Sequence, residues 1–439
     1  MTLLQAQWYI VRLALDKELN LQIVPFLLGL TFLLGLTISF VSMHEASWIR
    51  QITVNLIQNE KFLILSLCVV FLAISGIYIN HSRWGPDEQA MFTASSIVAE
   101  KGVSEFFAHY GEIEWLGNQH PPLPPLVIGI FMHVWGLNPL VFRLVGLFFA
   151  FPTVLLTYFI GRELTDSTTG FLAALLLLSF PRFLQIVFHV TNDVFITFFF
   201  TLAIFLIIRM FQTPSYWLSI LTGLVVGVGL LSKYTMVFVY LMLLGLLYLP
   251  LGIQKSWLSD HLPLTFQPKI EVNAHVWCKH LGIVGLISIG ILATWLIYAN
   301  HSGVFAKQGQ QMIQYVGVTP SKQGVPQLMG SWRRMKARLD MLSIRVPSAV
   351  GIYNMPMLVL GGILVLRRRA DSDRFILLWI AAVSLPVMLL LPVDRYLMPA
   401  FPAFAMIMAH SRLYLPSAMK YAVILALLYS ISTVYLYIN

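Results

Sequence analysis

The stretch "RWGPDEQ" (Arg83–Gln89) sets two carboxylates, Asp87 and Glu88, directly after a long apolar run, "FLILSLCVVFLAISGIYIN" (Phe62–Asn80). Three more ionisable residues border apolar runs in the same way: Asp193 in "HVTND", Lys233 in "LLSKYT" and Arg395 in "VDRYLMPAFP". A charged group at or beside a bilayer core costs a few kcal/mol, so such residues mark functional positions. Acids and bases together suit a charged, lipid-linked substrate. A carboxylate beside an acceptor hydroxyl removes its proton as a new bond forms. Lys and Arg stabilise the charge that develops on a departing phosphate. The predicted chemistry is transfer of a sugar from a polyprenyl-phosphate donor, with a single attack and inversion at the anomeric carbon.

Each residue also has a plain structural role open to it. "PDE" is a good helix start, so Asp87 and Glu88 would cap the helix that follows. Asp193 would cap the next span. Lys233 would snorkel to the interface. Arg395 would pair with its neighbour Asp394, and His120 in "NQHPPLPP" would be an ordinary loop residue. The functional reading gains weight from number, since four separate positions fall at one membrane level.

The elements that must carry these residues are membrane spans. Of 439 residues, 58% are hydrophobic and 11% charged, against roughly 25% charged in soluble domains. Apolar stretches predict about twelve spans, near 22–43, 61–80, 140–162, 170–188, 194–211, 216–232, 234–250, 280–299, 346–366, 375–392, 397–411 and 420–438. The net charge of +9 is read as Lys and Arg gathered on the cytoplasmic side, not as affinity for nucleic acid. "RRRADSDR" (Arg367–Arg374) then fixes one cytoplasmic loop. Alternation places Arg162, Lys255, Lys269, Lys279, Arg412 and Lys420 on that side as well. It places 81–139, 188–193, 300–345 and 393–396 on the other. "PPLPPLVIGIFMHVWGL" (Pro121–Leu137) is too short to span and is read as a half-inserted or interfacial helix. The basic run Arg333, Arg334, Lys336, Arg338 lies outside, against the charge trend, where it would meet a lipid headgroup or an anionic acceptor. The segments near 251–279 and 300–345 are read as loops. The first twenty residues read as a surface helix and lack a cleavable signal pattern.

Several chemistries are not indicated. The sequence has no Gly-rich nucleotide loop and no HExxH or CxxC metal motif. The two cysteines, Cys68 and Cys278, offer no disulfide framework. No cofactor is required by this reading. A divalent metal remains open, because Asp87, Glu88, Asp193 and His120 are hard ligands that together would suit one.

Taken in order, the motifs resemble GT-C glycosyltransferases of the protein O-mannosyltransferase and aminoarabinose (lipid A) transferase type. "RWGPDEQAMFTASSIVAEKG" looks like their first outer loop. "NQHPPLPPLVIGIFMHVWGLNPLVFRLVG" is similar to their Pro-Pro segment and the Arg-bearing start of the next span. "GRELTDSTTGFLAALLLL", "HVTNDVFITFFFTLAIF", "GLVVGVGLLSKYT" and "DRYLMPAFP" follow in the family order. The resemblance covers roughly residues 61–410. It implies that Asp87 is the catalytic acidic residue, Glu88 its acidic neighbour and Asp193 a second acid of the same cavity. It implies that Arg143, Lys233 and Arg395 lie near the lipid phosphate, with His120 at a position where the aminoarabinose branch carries a phosphate-binding Lys. His120 departs from that branch and is closer to the mannosyl branch. The span at 22–43 is additional to the family pattern.

The expected fold is an all-α polytopic membrane protein of GT-C type. Residues 1–60 would form an N-terminal surface helix and extra span. Residues 61–250 would form the transmembrane module with catalytic loop 81–139. Residues 251–439 would form a variable module with outer loop 300–345. The expected activity is a hexosyl or pentosyl transfer to a lipid, glycan or protein acceptor at the periplasmic face of the inner membrane. A transporter or lipid flippase is the alternative, since buried charges and Pro-broken helices suit transport too. A non-catalytic partner in envelope assembly is a third.

Overall fold

The computed structural model describes residues 59–79, 84–113, 116–253, 274–315, 318–320, 326–328, 336 and most of 338–411, with a few positions beyond. The predicted N-terminal helix and span 22–43, Arg83, Lys255, Lys269, Arg333, Arg334, Arg412, Lys420 and most of 420–438 lie outside the described residues. The chain order is α1 (Glu60–Tyr78), α2 (Pro86–Ala108), α3 (Leu116–Gln119), α4 (Leu123–Trp135), α5 (Pro139–Leu164), α6 (Ser167–Leu178), α7 (Pro181–His189), α8 (Asn192–Gln212), α9 (Tyr216–Leu230), α10 (Phe238–Ile253), α11 (Ala274–His301) and α12 (Val304–Tyr315). Strands β1 (Val318–Pro320) and β2 (Pro326–Leu328) pair antiparallel. Then come α13 (Val346–Val350), α14 (Met355–Arg368), α15 (Asp371–Leu390) and α16 (Phe401–His410). The architecture is the expected all-α membrane bundle, with one short two-stranded ribbon.

The helices begin where the sequence offers caps. Asn59 accepts from the Lys61 amide at 3.1 Å, Asn138 from Val141 at 2.9 Å and Asp166 from Thr169 at 2.8 Å. Each side chain satisfies an amide that the first turn leaves open. Pro139 and Pro181 take first-turn positions, where a missing N–H costs nothing. Inside the spans, Thr153, Thr157, Thr197 and Thr201 are buried and donate to the carbonyl four residues back. Their hydroxyls are thus satisfied within their own helix.

Among the described residues, five helices are long and apolar enough to cross a membrane: α1, α5, α8, residues Val276–His301 of α11, and α15. Two further predicted spans are not straight. The run 170–188 is broken into α6 and α7, bent by 65°. Pro181 supplies no N–H and forces Phe180 into extended backbone (φ −86°, ψ 114°), so the helix stops there. The run 346–366 is bent by 96° between Arg338–Val350 and Ile352–Arg368. Gly351 makes that turn at φ 97°, a conformation open mainly to glycine. The two breaks meet. The Asn354 amide donates to Ser179 Oγ at 2.9 Å and to the Val350 carbonyl at 2.7 Å. Ser430 Oγ donates to the Ser179 carbonyl. An ideal Cβ on Gly351 would sit 3.3 Å from Pro181 Cδ. Backbone groups freed by a break inside a bilayer need such partners from neighbouring helices.

The predicted interfacial segment is α4, thirteen residues long. At 1.5 Å per residue it reaches about 20 Å, short of a roughly 30 Å hydrocarbon core. It packs on α2 through Gly129, where a Cβ would fall 2.6 Å from the Ser95 carbonyl. The segments read as loops also differ from expectation. Helix α11 starts at Ala274, and 300–345 contains α12 and the ribbon. Of its basic run, Arg338 donates to the Leu389 carbonyl at 3.2 Å, and Arg345, beyond that run, donates to the Pro392 carbonyl at 3.0 Å. Both answer carbonyls at or just beyond the C-terminal end of α15, a role that accounts for cations at this end.

Ion pairs sort to the two ends of the bundle. At one end Arg162 pairs with Glu60, Glu163 with Arg209 and Gln212, and Arg368 with Asp373 at 2.5 Å. These are the segments that the charge pattern groups as cytoplasmic. The opposite end gathers Asp87, Asp193, Lys233 and Arg395.

Candidate active site

Five segments distant in sequence converge at that opposite end. Gly85 and Pro86 open α2 and bring Asp87 and Glu88 into its first turn. Asn138 and Pro139 open α5 and place Arg143 one turn in. Thr191 caps α8, so Asp193 stands at its start. Lys233 follows α9 in extended backbone, and Arg395 sits in the 3-10 turn Asp394–Ala400.

Acids and bases alternate across this floor. Arg395 donates through Nη1 to Asp87, and its Nε lies 4.0 Å from Asp193 Oδ2. Lys233 Nζ donates to Asp193 Oδ1 at 2.5 Å. Glu88 is fully buried and, among the described residues, accepts from the Gly85 amide at 3.1 Å, Arg143 Nε at 3.2 Å and His189 Nδ1 at 2.8 Å. Arg143 also donates to the Ile79 carbonyl at 3.1 Å and lies over the Trp84 ring. The Tyr396 ring lies under both Lys233 Nζ, at 4.0 Å, and the Arg395 guanidinium, at 5.6 Å. An aromatic face adds about 0.5–2 kcal/mol to the placement of such a cation.

Burial works against the Arg395 charge, but the carboxylates of Asp193 and Asp87 outweigh it and raise its pKa, so it stays protonated. His120 behaves in the opposite way. Burial first, then the charges of Lys233 and Arg395, push its pKa well below the usual histidine range. It stands in the site as a neutral imidazole. Its carbonyl accepts from Tyr110 Oη at 2.5 Å and from Gln308 Nε2 at 3.0 Å. Gln308 in turn accepts from Tyr234, next to Lys233. Helix α12 is thereby tied to the segment around Tyr110 and His120.

The structure brings together Asp87, Asp193, Lys233 and Arg395, with Glu88 and Arg143 as the adjoining pair. The capping reading of Glu88 is correct in itself, since its carboxylate returns to the Gly85 amide. Asp193 is likewise in a first turn, but its carboxylate faces Lys233. Lys233 is buried, not snorkelling. Arg395 pairs with Asp87, while Asp394 is taken by Arg182 at 2.7 Å. The sequence reading missed His189, Arg182, Trp84 and Tyr396. Arg182 had a visible signal, a guanidinium inside an apolar run. Among the described residues, the buried Arg395 Nε and the Asn192 side-chain amide find no hydrogen-bond partner. Among the described residues, no three His, Cys, Asp or Glu side chains converge as ligands for a metal. Each candidate carboxylate faces a cationic side chain instead, which fits a set of ion pairs better than a coordination shell.

This bundle is the GT-C fold of membrane glycosyltransferases. It is similar to that of ArnT from Cupriavidus metallidurans bound to undecaprenyl phosphate, at 14% identity over 82% of this chain and 62% of that one, with TM-score 0.53. It is also similar to the oligosaccharyltransferase AglB of Archaeoglobus fulgidus in complex with an inhibitory peptide and a dolichol-phosphate, at 13% identity, 86% and 56% coverage and TM-score 0.50. The chain thus spans less than two thirds of each solved chain. Residues 119–266 match the family model of dolichyl-phosphate-mannose-protein mannosyltransferase. That segment contains His120, Arg143, Asp193 and Lys233, whereas Asp87, Glu88 and Arg395 lie outside it. No curated protein matches the chain in sequence.

Proposed function

We propose that this protein is a membrane glycosyltransferase that moves a sugar from a polyprenyl-phosphate donor to a lipid, glycan or protein acceptor. The reading places the reaction at the periplasmic face of the inner membrane, because the charge pattern assigns the Arg162 and Arg368 end to the cytoplasm. One observation carries it. Arg395 holds Asp87 while it lies beside the Asp193–Lys233 pair, so a proton acceptor and two phosphate-binding cations share one site.

The donor phosphate docks on Lys233 and on the Arg395 Nε, which makes no hydrogen bond among the described residues. It competes with the carboxylates for these cations and loosens the hold of Arg395 on Asp87. The acceptor hydroxyl attacks the anomeric carbon from the face opposite the phosphate, and Asp87 takes its proton. The bond between that carbon and the phosphate oxygen breaks. Its electron pair leaves on the polyprenyl phosphate, where the two cations stabilise it. Configuration inverts. Asp193 holds Lys233 in place through its carboxylate, and Glu88 fixes the start of α2 and with it Asp87.

The test is transfer in nanodiscs from a panel of undecaprenyl-phosphate hexoses and pentoses. Asp87→Asn lowers turnover about 10²–10⁴-fold, the usual share of a general base, and leaves undecaprenyl phosphate bound. Normal turnover in that variant removes Asp87 from this role. Movement of the lipid without any covalent product favours a flippase.

A further inference from the structure

Helix α7 is the half-span left by the break at Pro181, and it is nine residues long. Arg182, Gln185 and His189 fall at intervals of three and four, so they share one face. Phe183, Leu184, Ile186, Val187 and Phe188 are buried.

The two ends of that polar face grip the neighbours of the two central site residues. Arg182 donates through Nε, at 2.7 Å, and through Nη2 to Asp394 Oδ2, and through Nη1 to Gln185 Oε1 at 2.5 Å. His189 Nδ1 lies 2.8 Å from Glu88 Oε2. Asp394 precedes Arg395, Glu88 follows Asp87, and Arg395 pairs with Asp87. The contacts form a closed ring: Asp87 and Glu88, then His189, along α7 to Arg182, then Asp394 and Arg395, and back to Asp87. All of the ring except the Arg395–Asp87 bond is out of the substrate's path in the proposed reaction.

The far end of α7 is fixed further. Val190 follows His189 with φ 44° and ψ 63°, the left-handed region that a β-branched residue rarely enters. Such backbone persists only where its surroundings over-determine it. Here Gly146 of α5 supplies the constraint. A Cβ there would fall 2.8 Å from Val190 Cγ2 and 2.9 Å from the Val187 carbonyl. The strained residue then leads directly into Thr191–Asp193.

We infer that α7 is the positioning element of the site, with Arg182 and His189 setting the separation and aim of the Arg395 cation and the Asp87 carboxylate. The inference rests on the proposed transfer reaction and extends it to residues that touch neither donor nor acceptor. Without Arg182, Asp394 and the turn carrying Arg395 lose their anchor, and phosphate binding weakens. Without His189, the start of α2 loses one of its holds, and Asp87 drifts from the acceptor. A displacement of about 1 Å in such a group can cost roughly 10²-fold in rate.

The experiment uses the full-length protein in nanodiscs with undecaprenyl phosphate as the probe. Arg182→Ala raises the Kd for the probe about tenfold, within the range for residues that act on a ligand through others. Arg182→Lys recovers most of that loss. His189→Ala lowers kcat more than it alters the Kd, and His189→Asn, which keeps a donor near the Nδ1 position, restores turnover. Thermal melts of each variant run alongside. A Kd and kcat near wild type in both alanine variants overturns the inference, as do losses that only follow the unfolded fraction or that the conservative variants fail to rescue. Asp87→Asn and Arg395→Ala serve as controls. If both retain normal turnover and binding, the transfer reading fails. If they are impaired while the α7 variants are not, only the positioning role fails.

Discussion

Lys233 and Asp193 meet at 2.5 Å with 7% and 3% of their side chains exposed. Removing one member of a buried pair strands the other charge, at about 3–5 kcal/mol, whereas removing both is far milder. Lys233→Met and Asp193→Ala are each expected to lower the melting temperature sharply. The double variant should recover a large part of that loss and still bind undecaprenyl phosphate poorly. Additive melting shifts in the double-mutant cycle would show that the pair is not coupled.

Glu88 and Asp87 are adjacent but have opposite environments. Glu88 is fully buried and bonded to Gly85, Arg143 and His189, while 27% of the Asp87 side chain is exposed. Glu88→Gln keeps the shape and removes the charge facing buried Arg143. The expected result is a stability loss on the order of 3 kcal/mol or more, seen as a lower melting temperature. Asp87→Asn should melt near wild type and fail in turnover. A Glu88→Gln protein as stable as wild type would contradict this division.

His120 gives the site a pH dependence of known sign. Its pKa in the fold is depressed, first by burial and then by Lys233 and Arg395. At pH values below its ordinary pKa near 6.5, the unfolded chain therefore binds a proton that the folded chain refuses. The histidine's contribution is complete above that value and is lost as pH falls toward the depressed one. His120→Gln should flatten the fall in melting temperature between about pH 7 and pH 5. An unchanged slope would mean that the buried imidazole takes no part.

The crossing of α5 and α6 is backbone to backbone. A Cβ on Gly170 would lie 2.3 Å from the Tyr158 carbonyl and 2.8 Å from the Arg162 amide. Gly170→Ala should sharply reduce the yield of monodisperse protein. Gly76→Ala is the control, with nothing within 4 Å of the added atom. It should be neutral or stabilising by about 0.5–1 kcal/mol, the usual gain in a helix. Equal yields from both variants would refute the tight crossing.

Much of the site was legible because charge beside a bilayer is costly and conspicuous. Asp87, Asp193, Lys233 and Arg395 announce themselves against apolar surroundings. Their partners do not. Nothing in the local sequence says that Arg395 reaches back 308 positions to Asp87 and leaves its neighbour Asp394 to Arg182. His189 was hidden because histidine at a span end is unremarkable. Arg182 was visible as a charge, but its role was hidden because the run 170–188 has the hydropathy of one continuous span. Its break depends on Pro181 acting on Phe180, and the direction of the bend depends on packing. The turn at Gly351 was illegible for the same reason, since glycine permits a positive φ without requiring it. Helix α12 is polar enough to read as a loop. Its place is set by contacts such as Gln308 with His120, which no short window contains.

The meeting of the two broken spans bears on how the molecule is made. Ser179 enters the membrane long before Asn354 and Ser430, which serve its hydroxyl and carbonyl. Until those segments arrive, the gap between α6 and α7 must borrow water, translocon or lipid headgroups for its exposed backbone. Arg395 and Asp394 are also late arrivals. The N-terminal spans can therefore stack early, but the candidate site is complete only when the final third of the chain, with Asp394 and Arg395, is in place. A chain built in this order holds no formed site while it is still emerging into the membrane.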